Sequence, residues 1–295
     1  MKTVVVLLIG ITAISFAAIF IKFCDDVPAV MIATYRLVIA SACLLVYFRI
    51  RGCSFSTLTR RDLLLSFLGG LFLALHFITW ITSLKYTSVA SSVVLVTTNP
   101  IFVGVFSALV LRERQQGTLV AGIILCVAGS AFIALGDGGF RALDFGDGRA
   151  VLGDVLALMG AVMASGYLIV GSAVRERLDN LTYITIVFSI SAAVLLAVSL
   201  VCSIPFTGYR PSSYLFMALL AVVPQLIGHT AFNWALRHIR AGMIAITILG
   251  EPVGATLLAY TLLGEPISGF QGMGMVLIFA AIIIASRRGG KSLSA

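Results

Sequence analysis

A glutamate followed by proline inside an apolar run is the sharpest chemical signal in this sequence. Glu251 precedes Pro252, whose ring removes one backbone hydrogen bond and clashes with the carbonyl four residues back, so a carboxylate stands beside a kink and a freed acceptor. Arg36, His76 and His229 also fall within apolar runs. An ionisable group at the centre of such a run costs about 2.5–3.5 kcal/mol by insertion scales and normally faces a bundle interior or water. Glu251 suits binding of a proton or an amino group. Arg36 keeps its charge at any relevant pH and has two candidate partners, a bound carboxylate and Glu251. The histidines change charge near neutral pH.

The spacing groups these residues on faces. His76 and Trp80 are i and i+4 on one helix, and Gln225, His229 and Asn233 are i, i+4 and i+8 on another. Ser88, Ser91, Ser92, Thr98 and Asn99 form a polar stripe, with Ser91 and Ser92 read as helix packing and Asn99 as facing a cavity. Asn99-Pro100 echoes Glu251-Pro252, so Pro100 and Pro252 are both expected to kink their helices. Trp80 and Trp234 also suit interfacial anchors.

Elements long enough to carry these residues account for almost the whole chain. It has 295 residues, 60% hydrophobic and 11% charged, against about 25% charged in soluble domains. That composition excludes a water-coated globular domain. Apolar runs of about 20 residues, the length that spans a bilayer, recur at 3–21, 29–48, 63–84, 87–111, 117–136, 151–172, 182–204, 213–236, 241–263 and 268–286. No length remains for a soluble catalytic domain. With the N-terminus inside, fourteen Lys and Arg fall on the inner side and five on the outer, which favours both termini in the cytoplasm. The net charge of +8 is thereby a topology signal, and nucleic acid is not an expected partner. The five cysteines show no metal-ligand spacing, and neither a metal nor a cofactor is expected. Gly289-Gly290-Lys291-Ser292 lacks the first glycine of a P-loop, which leaves a gradient rather than ATP as the energy source.

A shift of 152 residues lays Asn99-Pro100 on Glu251-Pro252, Gly117 on Gly269, Gly122 on Gly274 and Ser83-Leu84-Lys85 on Ala235-Leu236-Arg237. The chain therefore reads as two five-span repeats, 1–136 and 151–286, joined by an outer linker at 137–150 and followed by a tail at 287–295. Five is odd, so the repeats enter the membrane in opposite senses, an arrangement that lets a central site be exposed alternately. The expected fold is all-α integral membrane, with ten transmembrane helices as two inverted repeats around a central cavity.

Leu75-His76-Phe77-Ile78-Thr79-Trp80, Asn99-Pro100-Ile101-Phe102, Leu111-Arg112-Glu113-Arg114, Glu251-Pro252 and Leu263-Gly264-Glu265-Pro266 together resemble the EamA-type ten-helix branch of the drug/metabolite transporter superfamily. The resemblance implies a plasma-membrane secondary transporter, often an exporter, whose substrates range over amino acids, other metabolites, sugars and drugs. The expected function is export of small polar metabolites, foremost amino acids or related compounds. His76, Trp80, Asn99, His229, Asn233, Glu251 and Arg36 are the candidate substrate or coupling residues, and a proton is the candidate coupling ion. The expected partners are a small-molecule substrate and the lipid bilayer, with monomer and homodimer both open. The competing readings are a membrane-embedded enzyme acting on a lipid-borne substrate through His76, His229 and Glu251, and a non-catalytic helical scaffold.

Overall fold

In a computed structural model, all residues are described except 1, 57, 88–91, 93, 94, 111, 113–116, 139–147, 265 and 287–295. Ser88, Ser91, Glu113, Glu265, most of the linker and the tail therefore lie outside the described residues. The described residues are helical, with no strands among them. Helices are α1 (Lys2–Lys22), α2 (Ala29–Ile50), α3 (Arg60–Ser83), α4 (Asn99–Leu109), α5 (Gly117–Gly138), α6 (Gly148–Arg175), α7 (Asn180–Val201), α8 (Pro211–Ala235), α9 (Ala241–Leu262) and α10 (Gly269–Ser286). Among the described residues seven are long and apolar enough to cross a membrane, and three shorter apolar helices accompany them. Helices follow from composition, because within lipid each backbone N–H and C=O must be satisfied inside its own segment.

Helix ends carry local signals. Thr59 and Asp62 form a reciprocal capping box at the start of α3, with Asp62 N to Thr59 Oγ1 at 3.2 Å and Thr59 N to Asp62 Oδ2 at 3.0 Å. Asp179 caps α7 by accepting from the Thr182 backbone at 3.0 Å. Pro211 opens α8, where its missing N–H costs nothing.

Inside α8 and α9 the same residue type bends the chain. Helix α9 is interrupted at Leu249, between Ala241–Ile248 and Gly250–Leu258, as the Pro252 ring requires. Helix α8 opens into a π-helical stretch, Ala221–His229, containing Pro224. Such widenings recur at functional sites.

Packing ties the halves together. Helix α3 packs on α6 and α7, and in exchange α8 packs on α1 and α2; α4 meets α6 as α9 meets α1. The pairs α2–α7, α4–α9 and α5–α10 map onto themselves under the same exchange. Small residues allow the closest crossings: a Cβ added at Gly129 on α5 would stand 2.8 Å from the Gly274 carbonyl on α10.

Two serines repeat one device. Ser165 on α6 donates to the Asn99 carbonyl at 3.1 Å and to Ala161 O at 2.7 Å. Ser15 on α1 donates to the Glu251 carbonyl at 3.4 Å and to Ile11 O at 2.8 Å. In each case a hydroxyl from the neighbouring half meets the carbonyl of the residue before the proline, at the start of α4, where Pro100 sits in the first turn, and beside the interruption of α9.

The two ends of the bundle are also closed by paired contacts. At one, Asp26 in the α1–α2 connection accepts from Ser213 Oγ at 2.5 Å and from the Arg210 backbone at 2.8 Å, and Asp25 pairs with the Arg210 guanidinium. The Ser213 hydroxyl and the Arg210 amide hold the Asp26 carboxyl below the usual carboxylate range. At the other end, Arg177 lies 3.5 Å from Asp62.

Candidate functional site

A cavity of about 130 Å³ lies between the halves. Helix α1 supplies Ile14, Ala17 and Ala18, α2 supplies Arg36, and α3 supplies His76, Phe77 and Trp80. Helices α4 and α9 bring Asn99, Pro100, Glu251 and Pro252, while α6 and α8 add Tyr167, His229 and Phe232. Six of the seven candidate polar and aromatic residues meet here, and both prolines with them.

Asn233 is the residue that stands apart. It is buried one layer behind the wall, with Nδ2 donating to the Tyr167 hydroxyl and to the His229 carbonyl at 2.7 Å. It fixes Tyr167, which the sequence reading did not single out because a tyrosine in an apolar run looks like packing. Asn99 reaches the wall, but its Nδ2 is already engaged by Ser165 Oγ at 2.9 Å and Ala161 O at 3.3 Å. Only its Oδ1 has no partner.

Trp80 is 6% exposed and its ring stacks on His76 at 5.8 Å and 7°, so it is a wall of the cavity rather than an interfacial anchor. Trp234 is elsewhere, stacked on His238 at 4.1 Å with the Lys2 ammonium 5.7 Å from its ring. His76 Nδ1 lies 2.9 Å from the Gly160 carbonyl. A carbonyl only accepts, so Nδ1 carries the proton and Nε2 of the neutral ring is left as an acceptor.

Arg36 is 1% exposed. Its Nε donates to Gln225 Oε1 at 2.8 Å, and its guanidinium carbon lies 4.1 Å from the centre of the Phe77 ring. The proposed ion pair with Glu251 is not formed: both line the cavity, and among the described residues no ion pair within 4.0 Å joins them. Both side chains therefore line one cavity without a direct ion pair between them. Among the described residues no cluster of His, Cys, Asp and Glu could hold a metal ion.

Helix α6 outruns the apolar run at 151–172 at both ends. It begins at Gly148, so Asp154 lies beyond its first turn and accepts from the Thr87 hydroxyl at 2.7 Å. It ends at Arg175, which is 2% exposed and donates from Nε to the Asn233 carbonyl at 2.9 Å.

The sequence profile of the EamA-like transporter family matches residues 1–135 and 151–287. The chain belongs to the EamA-like transporter family. It is a multi-pass membrane protein of that family, and the match falls in two segments. It is similar to an uncharacterised transporter of Archaeoglobus fulgidus, 24% identical over 96% of this chain and 97% of that one. It is also similar to the uncharacterised transporter YxxF of Bacillus subtilis, 23% identical over 79% of this chain and 73% of that one. A crystal structure of a protein 19% identical in sequence superposes with a TM-score of 0.80, covering 97% of this chain and 98% of its own. At that identity the superposition speaks for the fold.

Proposed function

We propose that this EamA-like protein is a secondary transporter that exports small polar metabolites, foremost amino acids or related compounds. It sits in the plasma membrane with both termini in the cytoplasm, as the distribution of Lys and Arg suggests. Transport proceeds by alternating access, the two repeats rocking around the cavity they share. The observation that carries this reading is the separation of charge on the cavity wall: Arg36 and Glu251 both line it, yet no ion pair joins them. A substrate with a carboxylate at one end and an ammonium at the other satisfies both groups at once, which neither an uncharged solute nor a simple ion does. Glu251 is also the group that would take a coupling proton, because its carboxylate has no protein counter-ion to hold it ionised. The bilayer and the carried molecule are the partners this reading requires.

The test is release of a mixed amino-acid pool from proteoliposomes, measured species by species with and without an inward proton gradient. Selective release that accelerates with the gradient, and loses that acceleration in Glu251→Gln, is the expected result. Release with full gradient dependence in Glu251→Gln removes the proton role. No protein-dependent release of any amino acid removes the substrate class.

A further inference from the structure

We propose that Arg36, on the wall of the central cavity, and Gln225, buried behind it, form a binding site for a small monovalent anion, a carboxylate or a halide. The site is built from two elements. Arg36 comes from α2 and Gln225 from the π-helical stretch of α8, and both are buried, at 1% and 0% exposure. The 2.8 Å bond from Arg36 Nε to Gln225 Oε1 uses the one acceptor that the amide offers. It leaves two donors, Arg36 Nη1 and Gln225 Nε2, and neither has an acceptor among the described residues. Phe77 covers the guanidinium face.

A guanidinium cannot shed its charge, and among the described residues no carboxylate lies within 4.0 Å of Arg36, so its buried charge is not directly paired, a costly arrangement. The arrangement therefore calls for a negative partner rather than for more hydrogen bonds alone. The requirement also sets the ligand's size and charge. The cavity of about 130 Å³ has apolar walls at Ile14, Ala17 and Leu168, which suits a halide or the carboxylate end of a small molecule. The titratable groups facing it are Arg36, His76, Tyr167, His229 and Glu251. A monoanion matches the single charge of Arg36, whereas a dianion such as phosphate exceeds it. The inference deepens the transport reading and rests on it for one consequence, that the carboxylate of a carried metabolite displaces a free anion here.

The test uses the purified full chain in detergent micelles, sodium chloride as the probe and the ³⁵Cl line width as the readout, with sodium acetate as competitor. Saturable broadening that acetate removes is expected. Heat protection by acetate with no chloride broadening identifies the same site as carboxylate-selective and also supports the proposal. Arg36→Gln abolishes binding. Gln225→Glu, which supplies a carboxylate of nearly the same shape directly to Arg36, weakens it at least about tenfold while keeping the local hydrogen bond. Glu251→Gln tightens binding by removing a negative charge from the same wall. Arg49→Gln, exposed at the far end of α2, leaves it unchanged. Binding that survives in folded Gln225→Glu, or the absence of any anion binding to the wild type, overturns the proposal. Anion binding without amino-acid release from proteoliposomes leaves the site standing and removes the transport reading instead.

Discussion

The close approach of α1 and α9 beside Glu251 can be tested by moving one methyl group. A Cβ added at Gly254 would stand 2.7 Å from Ser15 Cβ and closer still to its hydroxyl. Ordinary van der Waals contact begins near 3.4 Å, so α1 must retreat by 0.7 Å or more. Overpacking of that kind costs about 1–3 kcal/mol. The new side chain also brings a helix-propensity gain of up to about 1 kcal/mol, so Gly254→Ala should lose about 0–3 kcal/mol net. The control separates the two effects. Gly272 on α10 has nothing within 4 Å of its Cβ position, and Gly272→Ala should be neutral or stabilising by up to about 1 kcal/mol. The pair should therefore differ by about 1–3 kcal/mol, the overpacking cost alone. Ser15→Gly in the Gly254→Ala chain removes the colliding atoms and should recover most of that difference. The assay is equilibrium unfolding by SDS titration in mixed micelles. Equal behaviour of the two alanine variants, or no recovery in the Ser15 double variant, would refute the α1–α9 crossing.

Three further outcomes follow from the same geometry. Arg36→Gln should destabilise the chain, and adding Glu251→Gln should recover less than about 1 kcal/mol, because Arg36 bonds to Gln225 and no ion pair joins it to Glu251; full recovery in the double variant would show a direct ion pair. Arg177→Gln should cost under about 1 kcal/mol, since Arg177 is 55% exposed in its pair with Asp62. Asp62→Ala should cost about 0.5–2 kcal/mol through the lost capping box, and the reverse order in the same titration would contradict both assignments. Asp26 has a folded-state carboxyl held below its unfolded value. Its contribution is therefore complete above the ordinary carboxylate range and is lost as pH falls through the lowered value. Ser213→Ala should leave thermal stability unchanged in relation to pH from neutrality to about pH 5 and flatten the decline below about pH 4; an unaltered acid limb would exclude Asp26 as its source.

The spans were legible because lipid leaves the chain few choices, and the kink at α9 because Pro252 announces it. The unread features share a physical cause. Arg175 ends α6, where a Lys or Arg is expected at a membrane boundary, and only the three-dimensional approach of Asn233 turns it inward. The start of α6 at Gly148 is masked in sequence by the polar Gly148-Arg149 pair. Pro224 was as visible as Pro252, yet a proline can be absorbed by a π-helical widening rather than an interruption, and the choice depends on what packs around it.

The cavity residues divide on the same principle. Arg36, His76, His229 and Glu251 were readable because a formal charge or imidazole inside an apolar run has no cheap alternative to facing the interior. Tyr167 and Phe77 were not, because an aromatic ring is as content in packing as in a binding wall. Asn99 shows why matching register is weaker evidence than matching chemistry. It occupies the place of Glu251 in the other half, before an equivalent proline and under an equivalent serine hydroxyl. Its Nδ2 is nonetheless engaged by α6, whereas among the described residues none donates a hydrogen bond to the Glu251 carboxylate. The two proline-bearing helices thus offer similar frames, and the acid stands in only one of them. Among the described residues Glu251 is the one acid that lines the cavity, and its place in the second half makes a chamber that is near-symmetric in backbone asymmetric in charge.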